Sequence, residues 1–486
     1  MKQGKLGEFE AVFYPKSIAV VGVPRNKETN ATLYLRGLLN WGFKGKLYPV
    51  NPNLDSFLGL KAYPDLKSIP EPVDYVYVSI PRNHVLALLD DCVTKKVKVV
   101  QFFTAGFSEM GDEEGIRLEE EIVRKAREGG FRVIGPNCVG VYSPKVNMTP
   151  PGGPLGEVGS TAFISQSGSI ILRVVQNGIT CGLRFSKAVS FGNGCDLDST
   201  DFLEYFAIDP ETKVIGAYLE GVKDGGRFLQ TIKEISKRKP LIIWKGGETQ
   251  AGAKAATSHT ASLTSSALLW EVALKQAGVV QVHNLEELVD TLFAFQQLPL
   301  LKDYGITIIS GLADGGGGQS VAAADICSKL GLEVPPFGNK TKEQLSALIG
   351  RVGAILHNPL DVSQAGGNPE TIGKAIEIAA NDRGISLIIV QESIDLMLSI
   401  RSWEWIERIS DVFIDFRKKH KKPIVIVLES GLAEAERRKI VEKLLAAQIP
   451  VFPTMQRAAK AIANMRRYFD YLRGSFLRTK CKDRGY

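Results

Sequence analysis

The chain has 486 residues, which at about 100–200 residues per domain predicts roughly three domains. Its hydrophobic fraction of 44% and its 48 glycines are typical of a globular α/β protein, and it has no run of about 18 apolar residues that would predict a membrane span. The formal charge of +7 is concentrated in residues 461–486, where seven basic residues stand against two acidic ones. The charge therefore gives no basis for a nucleic-acid-binding surface over the whole protein.

The N-terminus and the cysteines predict a cytoplasmic protein. The first residues lack an apolar core followed by a small-residue cleavage site, so they predict no secretory signal. The six cysteines form no CxxC pair and are too sparse for a disulfide framework. The five histidines show no HxxxH or HExxH spacing, so no metal site is predicted.

The first block of the chain predicts a parallel sheet, because short β-branched runs alternate with amphipathic stretches such as the helix expected over 113–130. Each predicted strand ends in Gly, Pro or Asn. In such sheets ligands bind beyond the carboxyl ends of the strands. The predicted strands cover 17–23, 46–52, 73–80, 97–106 and 131–137.

The loop after the first predicted strand suits a diphosphate. The strand is expected to end at Val23 and a helix to begin near Asn30, which would put a ligand at a helix N-terminus. Gly22 stands alone without a GxGxxG pattern, and Asn51 stands where a nicotinamide-cofactor fold would have Asp or Glu. An NAD dehydrogenase is therefore disfavoured, whereas another nucleotide-like ligand stays open.

Two further blocks follow a Pro- and Gly-rich segment, 143–160, which predicts a linker or a lid. Both blocks repeat a rhythm of strand, Gly/Ser-rich turn and helix. The second block is expected to close in helix over 268–298, and the third also ends in helix. The predicted strands and turns are 160–169, 183–193, 214–222 and 240–247 in the second block, and 305–334, 385–393 and 423–430 in the third.

The turns 165–169 and 314–320 are candidate anion sites. Each lies between a strand and a helix, where free N–H groups and the helix dipole favour negative charge. Ser167 and Ser169 add hydroxyl donors. The alternative is that these glycines and serines only form tight βα turns.

His259 lies alone in a run of small and hydroxylic residues, 248–266. The alternative is an ordinary solvated surface histidine. An imidazole can also act as a covalent nucleophile, and a bare loop would let it move while leaving its reactive nitrogen accessible. A carboxylate on the other ring nitrogen would orient it. Glu220, at the end of an apolar strand, is the candidate, the alternative being an ordinary strand-end charge.

Motifs in order across nearly the whole chain resemble a known family. They are YPVNP, GLKAYPDL, FTAGFSE and GPNCVG in the first block, FISQSGS, SFGN, DLDSTDFLEYFAIDPETKVIGAYLEGV and AATSHTAS in the second, and GGGGQSVAAAD and HNPLDV in the third. Together they resemble the α subunit of the ADP-forming acyl-CoA synthetases of the acetate–CoA ligase type, relatives of succinyl-CoA synthetase.

The resemblance implies a phosphohistidine at His259, steadied by Glu220. It implies that two helix starts receive the phosphate and that CoA lies along the strand ends of the first block. The implied phosphate-binding residues are Ser167, Gly168, Ser169, Gly316, Gly317 and Gly318, and the implied CoA-binding residues are Val23, Pro24, Arg25, Asn26, Asn51, Pro52, Ile80, Pro81, Thr104, Ala105, Gly106 and Asn137.

The implied fold is α/β, with three consecutive doubly wound domains. These are a Rossmann-like CoA-binding domain over 1–145 and two flavodoxin-like CoA-ligase domains over 155–298 and 303–486. The implied reaction interconverts acyl-CoA, ADP and phosphate with acid, CoA and ATP through an acyl phosphate. Mg-ADP or Mg-ATP is expected on a separate ATP-grasp β subunit, in an αβ or α2β2 assembly that the basic segment 466–484 helps to dock. The second substrate is a small organic acid, and neither nucleic acid nor a membrane is expected as a partner.

The sequence departs from the family pattern at two informative positions. Ala261 replaces a glycine in the usual SHTGA motif, and Asn53 stands where many relatives carry a lysine. Neither change removes His259 or Glu220. The alternative function is a catalytically idle CoA-binding or regulatory protein that keeps the fold, and a phosphorylation assay separates the two.

Overall fold

A computed structural model describes residues 2–25, 27–254, 267–301, 303–313, 317–350, 356–365 and 367–482. The chain forms two compact units, Met1–Leu288 and Val289–Tyr486, and the first unit contains two of the three parallel sheets. Within the described part of the chain, every helix is too short or too polar to cross a membrane.

The first sheet comprises five parallel strands with helices between them. In chain order the elements are α1 (Lys2–Phe13), β1 (Ser17–Val21), α2 (Asn30–Asn40), β2 (Lys46–Val50), β3 (Ser56–Phe57), β4 (Leu60–Lys61), β5 (Tyr75–Val78), α3 (Val85–Lys95), β6 (Val99–Phe102), α4 (Glu113–Gly129) and β7 (Arg132–Ile134). The strands pair in the order β2-β1-β5-β6-β7, and β3 pairs with β4 as a separate hairpin. All five predicted strands and the helix predicted over 113–130 are present.

Local chemistry explains where these elements stop. The Asp112 side chain accepts a hydrogen bond from Gly115 N and begins α4, and Gly130, with φ of +69°, ends it. Every residue of β1 and of β5 is buried, as expected for parallel strands covered on both faces.

The second sheet has six strands. Its elements are β8 (Gly140–Tyr142), β9 (Val158–Ser165), α5 (Gly168–Thr180), β10 (Phe185–Ser190), α6 (Ser199–Ile208), β11 (Val214–Leu219), α7 (Gly225–Ser236), β12 (Leu241–Lys245), α8 (Ala267–Ala277), β13 (Val280–Val282) and α9 (Leu285–Gln297). The order is β13-β12-β11-β9-β10-β8, and only β8 runs antiparallel to its neighbour among the described strands. β8 lies inside the range 1–145 predicted for the first domain, although it pairs in the second sheet. The three predicted domain ranges stay predictions.

The helix predicted over 268–298 is present as two helices, α8 and α9, and the prediction is wrong at Val280–Val282, which form a strand. Gly278, with φ of +75°, ends α8, and the β-branched run that follows forms β13 before α9 begins. The helical periodicity on both sides masked a short edge strand. In the Pro- and Gly-rich segment 143–160, a 3-10 turn covers Pro144–Val146 and β9 already begins at Val158.

The third sheet lies in the second unit and has the same strand order as the first two. Its elements are β14 (Ile306–Ser310), α10 (Gly317–Lys329), α11 (Asn339–Ile349), β15 (Leu360–Asp361), α12 (Pro369–Ala380), β16 (Leu387–Ser393), α13 (Ile394–Ile400), α14 (Trp403–Lys419), β17 (Ile424–Glu429), α15 (Glu434–Ala446), β18 (Val451–Phe452) and α16 (Met455–Lys482). The order β15-β14-β16-β17-β18 matches β10-β9-β11-β12-β13 strand for strand. The fold class is therefore confirmed as three consecutive doubly wound α/β layers.

The N-terminal helix joins the first two sheets of the first unit through aromatic packing. Phe9 and Phe13 of α1 stack on Tyr205 of α6, with ring centroids 4.6 and 5.2 Å apart. All three side chains belong to one buried hydrophobic cluster that continues into both sheets. Burying rings of this size contributes a large part of the apolar stabilisation of the unit.

Candidate active site

The carboxyl edge of the first sheet brings five of the predicted CoA-binding residues together. The last residue of β1 is in register with the last residues of both β2 and β5, so the loops after these strands start side by side. Asn51 Nδ2 donates a hydrogen bond to the carbonyl of Val23, 2.6 Å away. Thr104 Oγ1 donates to the carbonyl of Ile80 at 2.7 Å, and Asn137 N donates to the carbonyl of Thr104 at 3.0 Å.

Gly22 makes the turn after β1 possible. Its φ is +99°, and a Cβ at this position would lie 2.2 Å from the carbonyl oxygen of Ser79 on the neighbouring strand. Only glycine fits there, because the obstacle is backbone. Beyond the turn, α2 begins at Asn30, as the sequence predicts, with Thr29 as its N-cap. A glycine turn that leads to a helix N-terminus suits the phosphates of a ligand.

The other predicted residues of this edge lie nearer to solvent. Pro24 is half-buried, and Arg25, Pro52, Pro81 and Ala105 are exposed. They belong to the same loops as the five residues above. Asn26 lies outside the described residues.

Side chains that the sequence analysis did not single out hold the loop Thr104–Gly106. Arg82 Nη1 donates to the carbonyl of Gly106 at 2.7 Å, and Glu109 Oε1 accepts a hydrogen bond from Gly106 N at 2.6 Å. Asn193, in the turn after β10, donates from Nδ2 to Glu109 Oε2 at 2.6 Å. The loop is thereby fixed to a residue of the second sheet. Glu109 lies in the FTAGFSE motif three residues from Gly106, whereas Arg82 and Asn193 lie far from their partners in the chain, where no sequence pattern indicates the pairing.

The segment after β7 lies against the turns of the second sheet. Asn193 N donates to the carbonyl of Pro136 at 3.0 Å. A Cβ on Gly168 would lie 2.8 Å from Val139 Cγ1, so the first residue of α5 is in close contact with this segment. Asn137 therefore lies between the candidate CoA loops and the first candidate phosphate loop.

Glu220 follows β11 and is 6% exposed. Its backbone N–H donates to Gln166 Oε1 at 2.9 Å, and Oε1 of its carboxylate accepts a hydrogen bond from the Tyr218 hydroxyl at 3.2 Å. The second oxygen, Oε2, is buried and has no hydrogen-bond partner among the described residues. Leaving a buried acceptor unpaired costs about 1–3 kcal/mol. The arrangement therefore calls for a donor that the described residues do not supply.

The first candidate phosphate loop lies beside Glu220, because Gln166 belongs to it. Ser167 is the N-cap of α5, and its side chain makes no capping hydrogen bond. Instead its hydroxyl lies 3.1 Å from the Ser169 hydroxyl, and Ser165 Oγ donates to the Ser167 carbonyl at 2.6 Å. The amides at the start of this 13-residue helix are thus left without a side-chain cap, which is the geometry that binds anions.

The second candidate phosphate loop opens α10. Gly317 and Gly318 are the first residues of that helix, and Gly316 lies outside the described residues. The Ser320 hydroxyl, one turn into the helix, lies 2.6 Å from the Ser310 hydroxyl, which ties the helix to β14. This loop belongs to the second unit.

A second buried glutamate, Glu392, lies near the end of β16, the strand of the third sheet that corresponds to β11. Glu392 Oε2 accepts hydrogen bonds from Leu312 N at 3.0 Å and Ala313 N at 3.3 Å, and Oε1 accepts one from Ser393 N at 3.0 Å. Burial raises the pKa of Glu392, and these backbone hydrogen bonds oppose that shift. Both of its oxygens are engaged, unlike those of Glu220.

His259 lies outside the described residues, so the structure does not place the predicted nucleophile. What it does place is a buried carboxylate with one unpaired oxygen beside an uncapped helix start. Elsewhere in the described ranges, no group of three or more His, Cys, Asp and Glu side chains comes together as metal ligands would.

Two family models match most of the first unit, and the second of them extends a few residues into the second unit. One, described as a CoA binding domain, matches residues 16–144, and the other, described as a succinyl-CoA ligase-like flavodoxin domain, matches residues 158–295. The first match covers the whole first sheet and also β8, and the second covers the other five strands of the second sheet.

Individual relatives match nearly the whole chain. The α subunit of acetate–CoA ligase (ADP-forming) II of Pyrococcus furiosus is 34% identical over 431 residues, which cover 89% of this chain and 92% of that protein. Acetate–CoA ligase (ADP-forming) I of Archaeoglobus fulgidus is 35% identical over 381 residues, covering 78% of this chain. The match covers only 54% of that protein, about half its length.

A solved structure agrees with these relatives. The dinucleotide-forming acetyl-coenzyme A synthetase 1 of Ca. Korarchaeum cryptofilum, in complex with phosphate and ADP, superposes with a TM-score of 0.85 and 31% identity over 96% of this chain and 98% of that one. With the strand order, the loops and the relatives in agreement, the chain belongs to the ADP-forming acetate–CoA ligase family, whose α subunits it matches over nearly their whole length.

Proposed function

We propose that this chain is the α subunit of an ADP-forming acyl-CoA synthetase that works through a phosphohistidine at His259. The observation that carries the proposal is the unpaired Oε2 of Glu220, buried beside the uncapped start of α5. An imidazole N–H would satisfy that oxygen, and a phosphoryl group on the ring would meet the free amides. Family membership supplies the reaction class.

CoA is the thiol substrate in this proposal, and it lies along the carboxyl edge of the first sheet. The turn at Gly22 lets the chain and the N-terminus of α2 come close to its phosphates. Its thiol end extends toward Asn137, because the segment after β7 leads from this edge to Gly168. The contact between the segment after β7 and the start of α5 brings the thioester of acyl-CoA close to the phosphate.

The chemistry has two transfers on this chain. In the first, an oxygen of phosphate attacks the thioester carbonyl of acyl-CoA, the C–S bond breaks, and the CoA thiolate leaves and takes up a proton. In the second, the lone pair of a His259 ring nitrogen forms a P–N bond while the P–O bond to the acyl group breaks, and the acid leaves as a carboxylate. Glu220 accepts the N–H of the other ring nitrogen and so selects the tautomer that can attack.

The remaining transfer, from phosphohistidine to ADP, needs a nucleotide site on a second polypeptide. Relatives of nearly the same length are named α subunits, and the Archaeoglobus relative is about twice the length of the part that this chain matches. The proposed partner is an ATP-grasp β subunit that binds Mg-ADP or Mg-ATP, in an αβ or α2β2 assembly. The second loop, Gly316–Gly318, receives the phosphoryl group on the way to that site.

Labelling with radioactive phosphate tests the proposal. The purified chain is incubated with phosphate, without nucleotide, and with each of a panel of short aliphatic and aromatic acyl-CoA thioesters. An acid-labile, base-stable phosphoprotein is expected, and ATP should form from ADP only after the second polypeptide is added. Label that persists in His259→Asn would refute the assignment of the nucleophile. Tight CoA binding with no label for any thioester would favour an idle CoA-binding or regulatory protein.

A further inference from the structure

The turn after β10 lies between the first candidate phosphate loop and the loop Thr104–Gly106, the CoA loop. The proposed mechanism gives this turn no role. Phe191 N donates to the carbonyl of Ser165, the first residue of the phosphate loop, at 3.0 Å. Two residues further on, Asn193 N donates to the carbonyl of Pro136 at 3.0 Å. The turn is therefore held by backbone hydrogen bonds to both the second sheet and the segment after β7.

A glycine makes the close approach of this turn possible. Gly192 has φ of +54°, and a Cβ on it would lie 2.1 Å from the carbonyl oxygen of Pro136 and 2.5 Å from that of Asn137. Only glycine fits there, because both obstacles are backbone. The Asn193 side chain therefore extends from a fixed backbone position, which a side chain that orients other groups requires.

The Asn193 amide group donates to two carboxylates at once. Its Nδ2 lies 2.6 Å from Glu109 Oε2 and 2.9 Å from Glu119 Oε2, and the amide has two hydrogens to donate. Hydrogen bonds to a charged acceptor are about twice as strong as those between neutral groups. Arg82, whose guanidinium also holds the CoA loop, forms an ion pair with Glu114 instead. A neutral amide of the second sheet thus serves both carboxylates.

Both glutamates fix the backbone at the end of the CoA loop. Glu109 Oε1 accepts a hydrogen bond from Gly106 N at 2.6 Å, and its Oε2 accepts one from Phe107 N at 3.1 Å. Glu119 Oε2 accepts from the Ser108 hydroxyl at 2.6 Å and from Ser108 N at 3.3 Å. Three consecutive amides therefore take their orientation from two carboxylates that share one asparagine.

We infer that Asn193 is a positioning residue for CoA, and that it acts through Glu109. By holding the Glu109 carboxylate, it keeps the Gly106 amide, and with it the CoA loop, in the shape that binds CoA. A loop that is already ordered has a smaller entropy cost on binding, which raises affinity. The second sheet thus completes a site whose other candidate residues all follow strands of the first sheet. The inference rests on the proposed function, which puts CoA at this loop.

Four variants of the full-length chain test this role. Asn193→Ala removes the donor, Glu109→Ala removes the acceptor, and the double variant removes both. In Glu109→Gln one hydrogen bond is lost whichever way the amide faces, because Gly106 N and Asn193 Nδ2 are both donors. The control is Asn147→Asp. Asn147 Nδ2 also joins distant parts of the first unit, through the carbonyl of Gly42 at 2.9 Å, and Asp tolerates its φ of +59°.

Calorimetry measures the CoA affinity of each protein, and thermal unfolding checks that each is folded. Asn193→Ala should bind CoA about tenfold more weakly, the effect of losing one hydrogen bond to a charged acceptor. Glu109→Gln should show a similar loss, and Asn147→Asp should bind like wild type. Without CoA, hydrogen exchange of the Gly106 and Phe107 amides should be faster in Asn193→Ala than in wild type, and equal exchange would contradict the role.

The double variant provides a signature that a general structural role would not give. Because Asn193 acts through Glu109, adding Asn193→Ala to Glu109→Ala should cause no further loss of CoA affinity. Two independent structural effects would multiply instead, and the double variant would then bind about tenfold more weakly than Glu109→Ala.

The outcomes separate this inference from the proposed function. Wild-type protein that does not bind CoA would overturn both together. If wild type binds CoA, three results would each overturn the inference alone: unchanged affinity in Asn193→Ala, multiplied losses in the double variant, or an equal loss in Asn147→Asp. If Asn193→Ala does not fold, Glu109→Gln decides, and wild-type affinity in that variant counts against the role.

Discussion

Replacing Gly22 by alanine tests whether the turn after β1 is built for a close approach between backbones. At φ of +99° any residue other than glycine is strained, at about 1–2 kcal/mol. The new Cβ would also lie 2.2 Å from Ser79 O and 2.9 Å from Ile80 Cγ2. Overlap with backbone forces a shift that costs a further 1–3 kcal/mol or so. The local opening energy of β1 and β5 should therefore fall by about 2–5 kcal/mol.

The control is Gly42→Ala, in the turn after α2. Gly42 has φ of +67°, and among the described residues no atom lies within 4 Å of its added Cβ, so only the backbone strain remains. Hydrogen exchange of peptides from β1 and β5 measures the opening energy without assuming that the whole chain unfolds in one step. Calorimetry then measures CoA affinity, which should fall at least about tenfold in Gly22→Ala because Ile80 is displaced, and should stay unchanged in Gly42→Ala. Equal exchange and equal affinity in the two variants would refute the steric reasoning.

Glu220→Gln should lower phosphoenzyme yield while leaving CoA affinity unchanged by calorimetry, and equal losses of both would make the residue structural. In Gly246→Ala the new Cβ would lie 2.4 Å from the Tyr218 hydroxyl, so the labelling rate should fall much as in Tyr218→Phe, and a rate equal to wild type would contradict the contact. Lys187→Met leaves the buried Asp209 carboxylate without its ion-pair partner and should destabilise the first unit by about 3–5 kcal/mol in urea unfolding. Burial raises the pKa of Glu211, but hydrogen bonds from cationic and hydroxyl donors outweigh it and lower the value to about 2 from 4.5. The folded state therefore gains stability from this group above pH 4.5 and loses it as the pH falls toward 2, which acid titration of thermal unfolding in wild type and Glu211→Gln would show.

The main strands of the three sheets could be predicted from the sequence, because buried parallel strands have a characteristic apolar pattern. Most strands of the first sheet are β-branched or aromatic runs that end in Gly, Pro or Asn, and because both faces of such strands are buried, the runs are mainly apolar. The short strands at sheet edges were missed. β13 has three residues and lies between two amphipathic helices, and β8 is an antiparallel addition whose partner, β10, follows some 45 residues later. Neither length nor periodicity distinguishes such segments from loops or helix.

In the candidate site, too, local features could be predicted from the sequence and long-range contacts could not. Glycines that must adopt positive φ or admit a close backbone are visible in sequence, and Gly22 and Gly168 are both in tight contact in the structure. Side-chain pairs across the chain are not visible. The carboxylate of Glu109 meets Asn193 across 84 positions, and the amide of Gln166 meets the Glu220 backbone across 54. Such pairs depend on which strand ends become neighbours, and strand order is a property of the whole fold.

The second and third sheets show why a motif alone does not assign a role. Their strands have the same order, and each has a buried glutamate at the end of the strand that follows the same neighbour, Glu220 after β11 and Glu392 in β16. Both carboxylate oxygens of Glu392 accept hydrogen bonds from backbone amides, and this fixes the loop before α10. In the second sheet the Gln166 side chain accepts from the amides of Glu220 and Gly221, which follow β11, and Glu220 Oε2 has no partner within the described structure. One residue stabilises a loop and the other keeps an acceptor available, although the two strands have the same place in their sheets.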